Sequence, residues 1–372
     1  MTSHDSGRPV SLDHMRRLTD GFGIIQHADY ALPDYRSGYC TDDNSRALVV
    51  SALHHRLHGD ALSQELAITY LAFLRFAQRA DGNFHNFIGF DRRPLDESGS
   101  EECYGHALWS LAYVLYAPPR QDILQPAERL FYQALPWVRK LEHPRSRAFG
   151  ITALYWWWKA QPDKKEEAEN MARPLADYLM TRYAEHAGPA WQWILPEMTY
   201  GNAKLPEALF RAYQMTGEAR YLEVATRTLD FLCQKTFCGD MLCLVGNAGW
   251  YHADDTEPPI YDQQPIDAAA MVEASLAAFD ATGEPGYLRR AWLSLEWFFG
   301  RNTLGQSLYD PQTGGCYDGL TEAGVNKNRG AESTIVLLQA QLSVLEARQQ
   351  ISETVLSEGE SVSSSFEKAH IK

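Results

Sequence analysis

The segment "TGEARYLEVATRTLDFLC" (216–233) is echoed by "TGEPGYLRRAWLSLEWFFG" (282–300): Thr-Gly-Glu, then Tyr-Leu, then an apolar stretch ending in an aromatic residue. "HGDALSQELAITYLAFLRFA" (58–77) is a fainter third copy that carries Gly-Asp near its start. A repeated helix–glycine–helix unit cannot bury its apolar face alone and stacks on its neighbours, which implies a ring or a solenoid. Apolar residues recur at helical spacing through most of the chain, and strictly alternating runs are few and short, so the protein reads as mainly α. Start and stop signals divide it into twelve helices.

The helices alternate in character. "PIDAAAMVEASLAAF" is apolar nearly all round, whereas "KKEEAENMARPLADYL" carries a charged stripe. A helix covered on every side belongs inside, and a one-sided helix lies at the surface. With the helix in "SLDHMRRLTDGFGIIQHA" serving as outer partner of the last inner one, the twelve close into six pairs. The expected fold class is all-α, an (α/α)6 toroid forming a single domain over 1–350. An open solenoid normally carries shorter turns between repeats. Residues 351–372 are Ser/Glu-rich without apolar period and read as a disordered tail.

Composition narrows the partners. Of 372 residues 45% are hydrophobic, and ten Trp with nineteen Tyr leave aromatic rings over for a cleft once a core is filled. Acids outnumber bases 48 to 34, for a formal charge of −14, so a nucleic-acid partner would be repelled. The N-terminus has no signal-like apolar region and no run is long enough to span a bilayer, so the expectation is a soluble, cytoplasmic protein without a membrane partner. Cys233, Cys238 and Cys243 match no zinc template, and no dinucleotide or P-loop motif occurs; no metal and no cofactor are expected.

The long connections all lead into inner helices, so one rim carries the elaborated loops. The inner helices begin "CTDDNSR", "GSEECYGH", "HPRSRAF", "TYGNAKLP", "DQQPIDA" and "NRGAEST". Their acids converge on one funnel with Asp91, Arg92, Trp193, Glu197, Trp250 and Tyr261 from the loops. Carboxylates, amides, Arg and aromatic faces together suit a carbohydrate. Acids at helix N-termini also complement the helix dipole, worth about 1 kcal/mol. Capping, however, requires neither the adjacent Asn and Arg nor the long polar loops.

The catalytic candidates are Asp42, Asp43, Glu101, Glu102 and Glu332, with Asp43 favoured as the reactive acid and Arg46 holding an acid in place. Like charges crowded together raise one pKa, which suits a general acid. The binding candidates are Tyr39, Asn44, His85, His106, Asn202, Asp262, Gln263, Asp318, Asn326 and Asn328 beside the six funnel residues. Asp267 reads as a helix-surface acid, His54 and His55 as structural, and the tryptophans of "YWWWKA" as core.

"GYCTDDNSRAL", "GSEECYGHALW", "GNAKLPEAL", "QQPIDAAAMVEASLAAF", "LYDPQTGGCYDGL" and "VNKNRGAEST" together resemble a bacterial family of (α/α)6-toroid proteins, found alone or fused to glycosyltransferases and often labelled glycosyltransferase or glycoside-hydrolase-like. The resemblance covers about Gly21 to Leu345. It implies a carbohydrate-active toroid handling mannose- or glucose-type oligosaccharides. The family's usual Glu-Asp-Ser and Gly-Arg are replaced here at Glu102 and His106, and no nucleotide-sugar-binding βαβ domain is present.

The leading expectation is a glycoside hydrolase using two rim carboxylates, Asp43 with Glu102 or Glu332, on an oligosaccharide. A sugar epimerase or isomerase is the alternative and would need a proton-shuttling pair from His85, His106 and His252. A third reading is a non-catalytic glycan-binding domain that assists a glycosyltransferase; a terpene-cyclase toroid is a remote fourth.

Overall fold

A computed structural model describes residues 10–357. Its inner helices are α2 (Thr41–His58), α4 (Glu101–Tyr116), α6 (Pro144–Ala160), α8 (Lys204–Thr216), α10 (Pro265–Thr282) and α12 (Ala331–Ser357). The outer helices are α1 (Asp13–Leu18), α3 (Ala61–Ala77), α5 (Leu124–Ala134), α7 (Lys165–His186), α9 (Ala219–Thr236) and α11 (Pro285–Glu296). Each inner helix packs on the next, α2 on α4, α4 on α6 and onward, and α12 packs back on α2, which closes the ring. The protein is a single all-α (α/α)6 toroid.

Burial separates the two rings. In α4 every residue from Cys103 to Leu115 is buried, because neighbours cover it all round. In α7 burial falls on Ala168, Met171, Ala172, Leu175, Ala176 and Leu179, one stripe at i, i+3, i+4, i+7 spacing.

The repeated Thr-Gly-Glu is the inner-to-outer turn. Gly217 and Gly283 end α8 and α10 at φ 69° and 72°, a left-handed cap that favours glycine. Before each, a threonine hydroxyl donates to its own helix, Thr216 to the Ala212 carbonyl at 2.8 Å and Thr282 to that of Ala278 at 2.7 Å. The same hydroxyls accept the N–H of Glu218 at 3.3 Å and Glu284 at 3.2 Å, which starts the outer helix.

Five of the six outer-to-inner connections are long, and short antiparallel pairings knit them into a rim: Tyr39–Cys40 with Phe87–Ile88, Glu197–Met198 with Tyr251–His252, and Gly319–Thr321 with Gly324–Asn326. Between α5 and α6 a 3-10 turn, Leu135–Lys140, makes the link short.

Two expectations change in extent. "SLDHMRRLTDGFGIIQHA" is helical only over Asp13–Leu18. Its remainder is extended, and a Cβ on Gly23 would meet Asn44 Oδ1 at 2.6 Å, so this glycine permits close approach to α2. At the other end α12 continues to Ser357, past the expected boundary at 350, with Ser352 Oγ donating to the Arg348 carbonyl at 2.9 Å. The rest of the expected tail, 358–372, lies outside the described residues. Among those described, no helix is long and apolar enough to cross a membrane.

Candidate active site

The first turns of the inner helices face the toroid axis, so side chains four and seven residues further on line the same channel. Glu102, His106 and Trp109 descend one wall from α4, and Glu332, Val336 and Gln339 descend another from α12. With Asp42 and Arg46 of α2, Arg145 and Phe149 of α6, Lys204 of α8 and Glu273 of α10, they enclose a cavity of about 320 Å³. Tyr200, Asn247 and Gln264 complete it from the rim.

Glu102, Asp42 and Glu332 come from three neighbouring helices, α4, α2 and α12 respectively. Asp42 Oδ1 is buried with no hydrogen-bond partner among the described residues. Burial pushes its pKa up to about 6; the Arg46 cation opposes this, and the Glu102 and Glu332 charges add to it. Both oxygens of Glu102 are engaged, Oε1 by Arg145 Nε at 3.2 Å and Oε2 by the Tyr200 hydroxyl at 2.6 Å. Arg145 is itself fixed, lying 3.9 Å over the Tyr200 ring and donating to Thr199 Oγ1 at 2.8 Å. Glu332 accepts from Arg46 Nη1 through Oε2 at 2.9 Å, and its Oε1 takes no bond among the described residues.

Asp43, favoured from the sequence, does not line this cavity. It is 6% exposed, with Oδ1 accepting from Arg46 at 3.2 Å, and burial pushes its pKa up to about 8. One residue further along α2 is a rotation of about 100°, which turns Asp43 into the helix contact while Asp42 faces the axis. Arg46 does hold acids in place, bridging Asp43 to Glu332.

Glu101 turns outward, its Oε2 accepting from the N–H groups of Glu142 and His143, both at 2.9 Å. His106 lies against Phe149, ring centroids 4.0 Å apart, with Nδ1 unpartnered among the described residues. Burial, with Arg46 and Lys204 adding, lowers its pKa well below the usual histidine range, so the imidazole is neutral.

Of the proposed binding residues, His106 alone lines the cavity. Several of the others build the rim. Asn44 clamps the chain entering α2, accepting from Ile24 N at 3.0 Å and donating to the Cys40 carbonyl at 2.8 Å. Tyr39 donates to Asp20, and His85 is held by Asp96. Asn202 closes a turn on Thr199, Gln263 accepts from Trp297, and Trp193 is fully buried. Asp318 accepts from Gly330 N and Ser333 Oγ at the start of α12; Asn326 accepts from Asn328 N, and Asn328 from Tyr30 N. Glu197 pairs with His252, Asp91 with Arg93, and Arg92 lies over Phe22. Trp250 is exposed, and Tyr261 and Asp262 receive backbone N–H groups from Ala248 and Asn247 on their carbonyls.

Asp267 corrects the surface reading: it is 5% exposed, accepts from Gly201 N at 2.7 Å, and burial raises its pKa to about 7. Missed were Trp109, Arg145, Phe149, Tyr200, Lys204, Glu273 and Gln339. Most were detectable by counting i+4 and i+7 from each inner-helix start. Among the described residues no group of three or more His, Cys, Asp or Glu is placed to hold a metal.

These features define a class, the (α/α)6 toroid with an acid-lined axial cavity. Solved structures of that architecture match nearly the whole chain. A D-mannose isomerase aligns at TM-score 0.69 and 15% identity over 90% of this chain and 96% of its own. The cellobiose 2-epimerase of Bacillus thermoamylovorans aligns at 0.68 and 11% over 89% and 95%. An α-mannanase of Bacteroides thetaiotaomicron aligns at 0.61 and 12% over 90% and 93%. At such identities the likeness establishes the fold. No family model and no curated protein matches the chain, so the association with glycosyltransferases rests on the sequence motifs alone.

Proposed function

We propose that this protein is a carbohydrate-active enzyme, a glycoside hydrolase acting on manno- or gluco-oligosaccharides. Asp42 protonates the glycosidic oxygen, the bond from that oxygen to the anomeric carbon breaks, and water that gives its proton to Glu332 adds to the carbon. The observation carrying this reading is that Asp42 and Glu332 share a cavity walled by Trp109 and Phe149. Asp42 is the acid because burial keeps it protonated to a higher pH than an ordinary aspartate. Glu332 is the base because Arg46 donates to one of its oxygens and fixes the carboxylate while the other oxygen is open. Glu102, with both oxygens engaged, orients the substrate. The mannanase among the structural relatives lends the substrate class support.

A panel of manno- and gluco-oligosaccharides followed by mass tests it. Cleavage is expected, and Asp42→Asn and Glu332→Gln should abolish it; full turnover in both variants would overturn the assignment. One observation favours a second reading, sugar epimerisation or isomerisation: His106 is neutral, and its Nδ1, in the same cavity, has no partner among the described residues. Mass-neutral conversion with deuterium uptake from solvent would select it, but neither His85 nor His252 stands in the cavity as the second shuttle.

A further inference from the structure

The central cavity has a floor. Lys204 Nζ is paired with Glu207 at 2.9 Å and with Glu273, and Gln339 donates to the other oxygen of Glu273. With Trp109 this layer separates the central cavity from a second one of about 300 Å³ below it, and Trp109, Glu273 and Gln339 face both. A sugar chain therefore cannot thread the toroid. At about 320 Å³ the central cavity is at the small end of the ~300–1,000 Å³ typical of ligand pockets, room for a terminal unit.

Beside it lies a hollow of about 280 Å³ at the start of α4 and α6, which shares Glu102, Arg145 and Tyr200 with the central cavity and adds His143, Ser146 and Leu195. It is a built feature. Glu101 pins the α5–α6 link by accepting two backbone N–H groups, and Arg145 is locked between Tyr200, Thr199 and Glu102.

We propose that this hollow is the second sugar subsite, so that the protein takes the end of an oligosaccharide, terminal unit in the closed cavity and adjoining unit in the hollow. The proposal rests on the carbohydrate reading above and narrows it to end-acting. The order of helices supports it. Going round the ring from the hollow, the cavity wall carries Glu102 on α4, then Asp42 on α2, then Glu332 on α12. The leaving unit then departs on the side of the proton donor, and Glu332 lies beyond the terminal unit with the attacking water.

Calorimetric titration with mannose, glucose, mannobioses and cellobiose tests this on the full chain. At least one disaccharide should bind tenfold or more tighter than its monosaccharide. Leu195→Trp, or His143→Trp on the other wall should Leu195→Trp misfold, should remove that advantage and leave monosaccharide affinity within threefold. Equal affinity for mono- and disaccharide, no sugar binding, or equal weakening of both in the variants would overturn the subsite. The product pattern on an end-labelled tetrasaccharide separates the two claims. Single units released stepwise support both. Internal cuts would sink the subsite and leave the hydrolase standing; hollow-dependent disaccharide binding without cleavage would do the reverse.

Discussion

The two halves of the toroid axis are built from the same six helices and hold cavities of nearly equal volume, about 320 and 300 Å³, yet their chemistry differs. The lower cavity is rich in aromatic faces, Tyr113, Tyr116, Tyr155 and Trp156 among them, and its carboxylates Glu346 and Asp280 each face a guanidinium, Arg56 at 2.9 Å and Arg211 at 3.2 Å. Burial raises the pKa of Asp42 in the upper cavity and of Glu346 in the lower one, so the contrast is in the pairing: Asp42 has a buried oxygen with no partner among the described residues, and Glu332 gives Arg46 only one oxygen. Long loops wall the upper mouth, whereas turns as short as Thr-Gly-Glu end the helices below. The helix ring supplies space at both ends; the arrangement of acids suits the proposed chemistry at one.

Losing a proton donor typically costs about 10²–10⁴ in rate. Asp42→Asn should therefore lower kcat/KM about 10³-fold on a cleaved oligosaccharide, while Glu346→Gln in the lower cavity should change it less than about threefold. Comparable losses from both would erase the distinction between the ends.

The layer between the cavities gives the next largest effect. Lys204 is 8% exposed and faces two buried carboxylates, so Lys204→Met leaves both without their cation. Breaking such a pair costs about 3 kcal/mol or more, whereas the more exposed Arg56–Glu346 pair, whose side chains are 36% and 18% exposed, should lose less, about 1–2 kcal/mol, in Arg56→Met. Urea unfolding of the two variants reads the difference, and equal costs would mean that the floor carries no special load.

The ring itself was legible because it is written periodically: the Thr-Gly-Glu turns and the alternation of all-apolar with one-sided helices are local patterns. The site was legible as a place but not as a list. Asp42, Glu102 and Glu332 are at helix starts, where acids stand out. Asp42 and Asp43 are adjacent in sequence, and choosing between them requires the helix phase about the axis, which composition does not carry. Polar loop residues such as Asn44, Asn202 and Asp318 have the right chemistry for a ligand, and the backbone uses it instead. Lys204, at the start of α8, and Glu273, within α10, went unread because a lone charge on a helix looks like an exposed residue until its partner on the neighbouring helix is known.

The pH profile sharpens the contrast further. In the proposed role Asp42 must hold its proton, and its pKa is raised to about 6, so kcat/KM should fall on the alkaline side of about pH 6. Arg46 favours the ionised form, and replacing it with Met should move that descending limb up by about one unit, alongside a lower maximum from loss of its hold on Glu332. A limb that stays in place would remove Asp42 as the group it reports.

The smallest effect is on stability, and its sign is opposite to the effect on activity. Asp42 is raised from 3.8 to about 6 on folding, chiefly by burial, so between these values the folded chain binds more protons than the unfolded one. Stability therefore declines as pH rises through that window and stays reduced above it. A neutral amide in the same place would carry no such cost, so the Asp42→Asn chain should be more stable than the wild type at about pH 7.5 by about 1 kcal/mol, less than the full shift implies because the side chain opens on the cavity. At about pH 3.5, with the aspartate largely protonated in both states, the two should unfold at nearly the same urea concentration. In the lower cavity burial raises the Glu346 carboxyl too, with Arg56 opposing, but Glu346→Gln should gain less than Asp42→Asn, since the change also strips the guanidinium of its ion-pair partner.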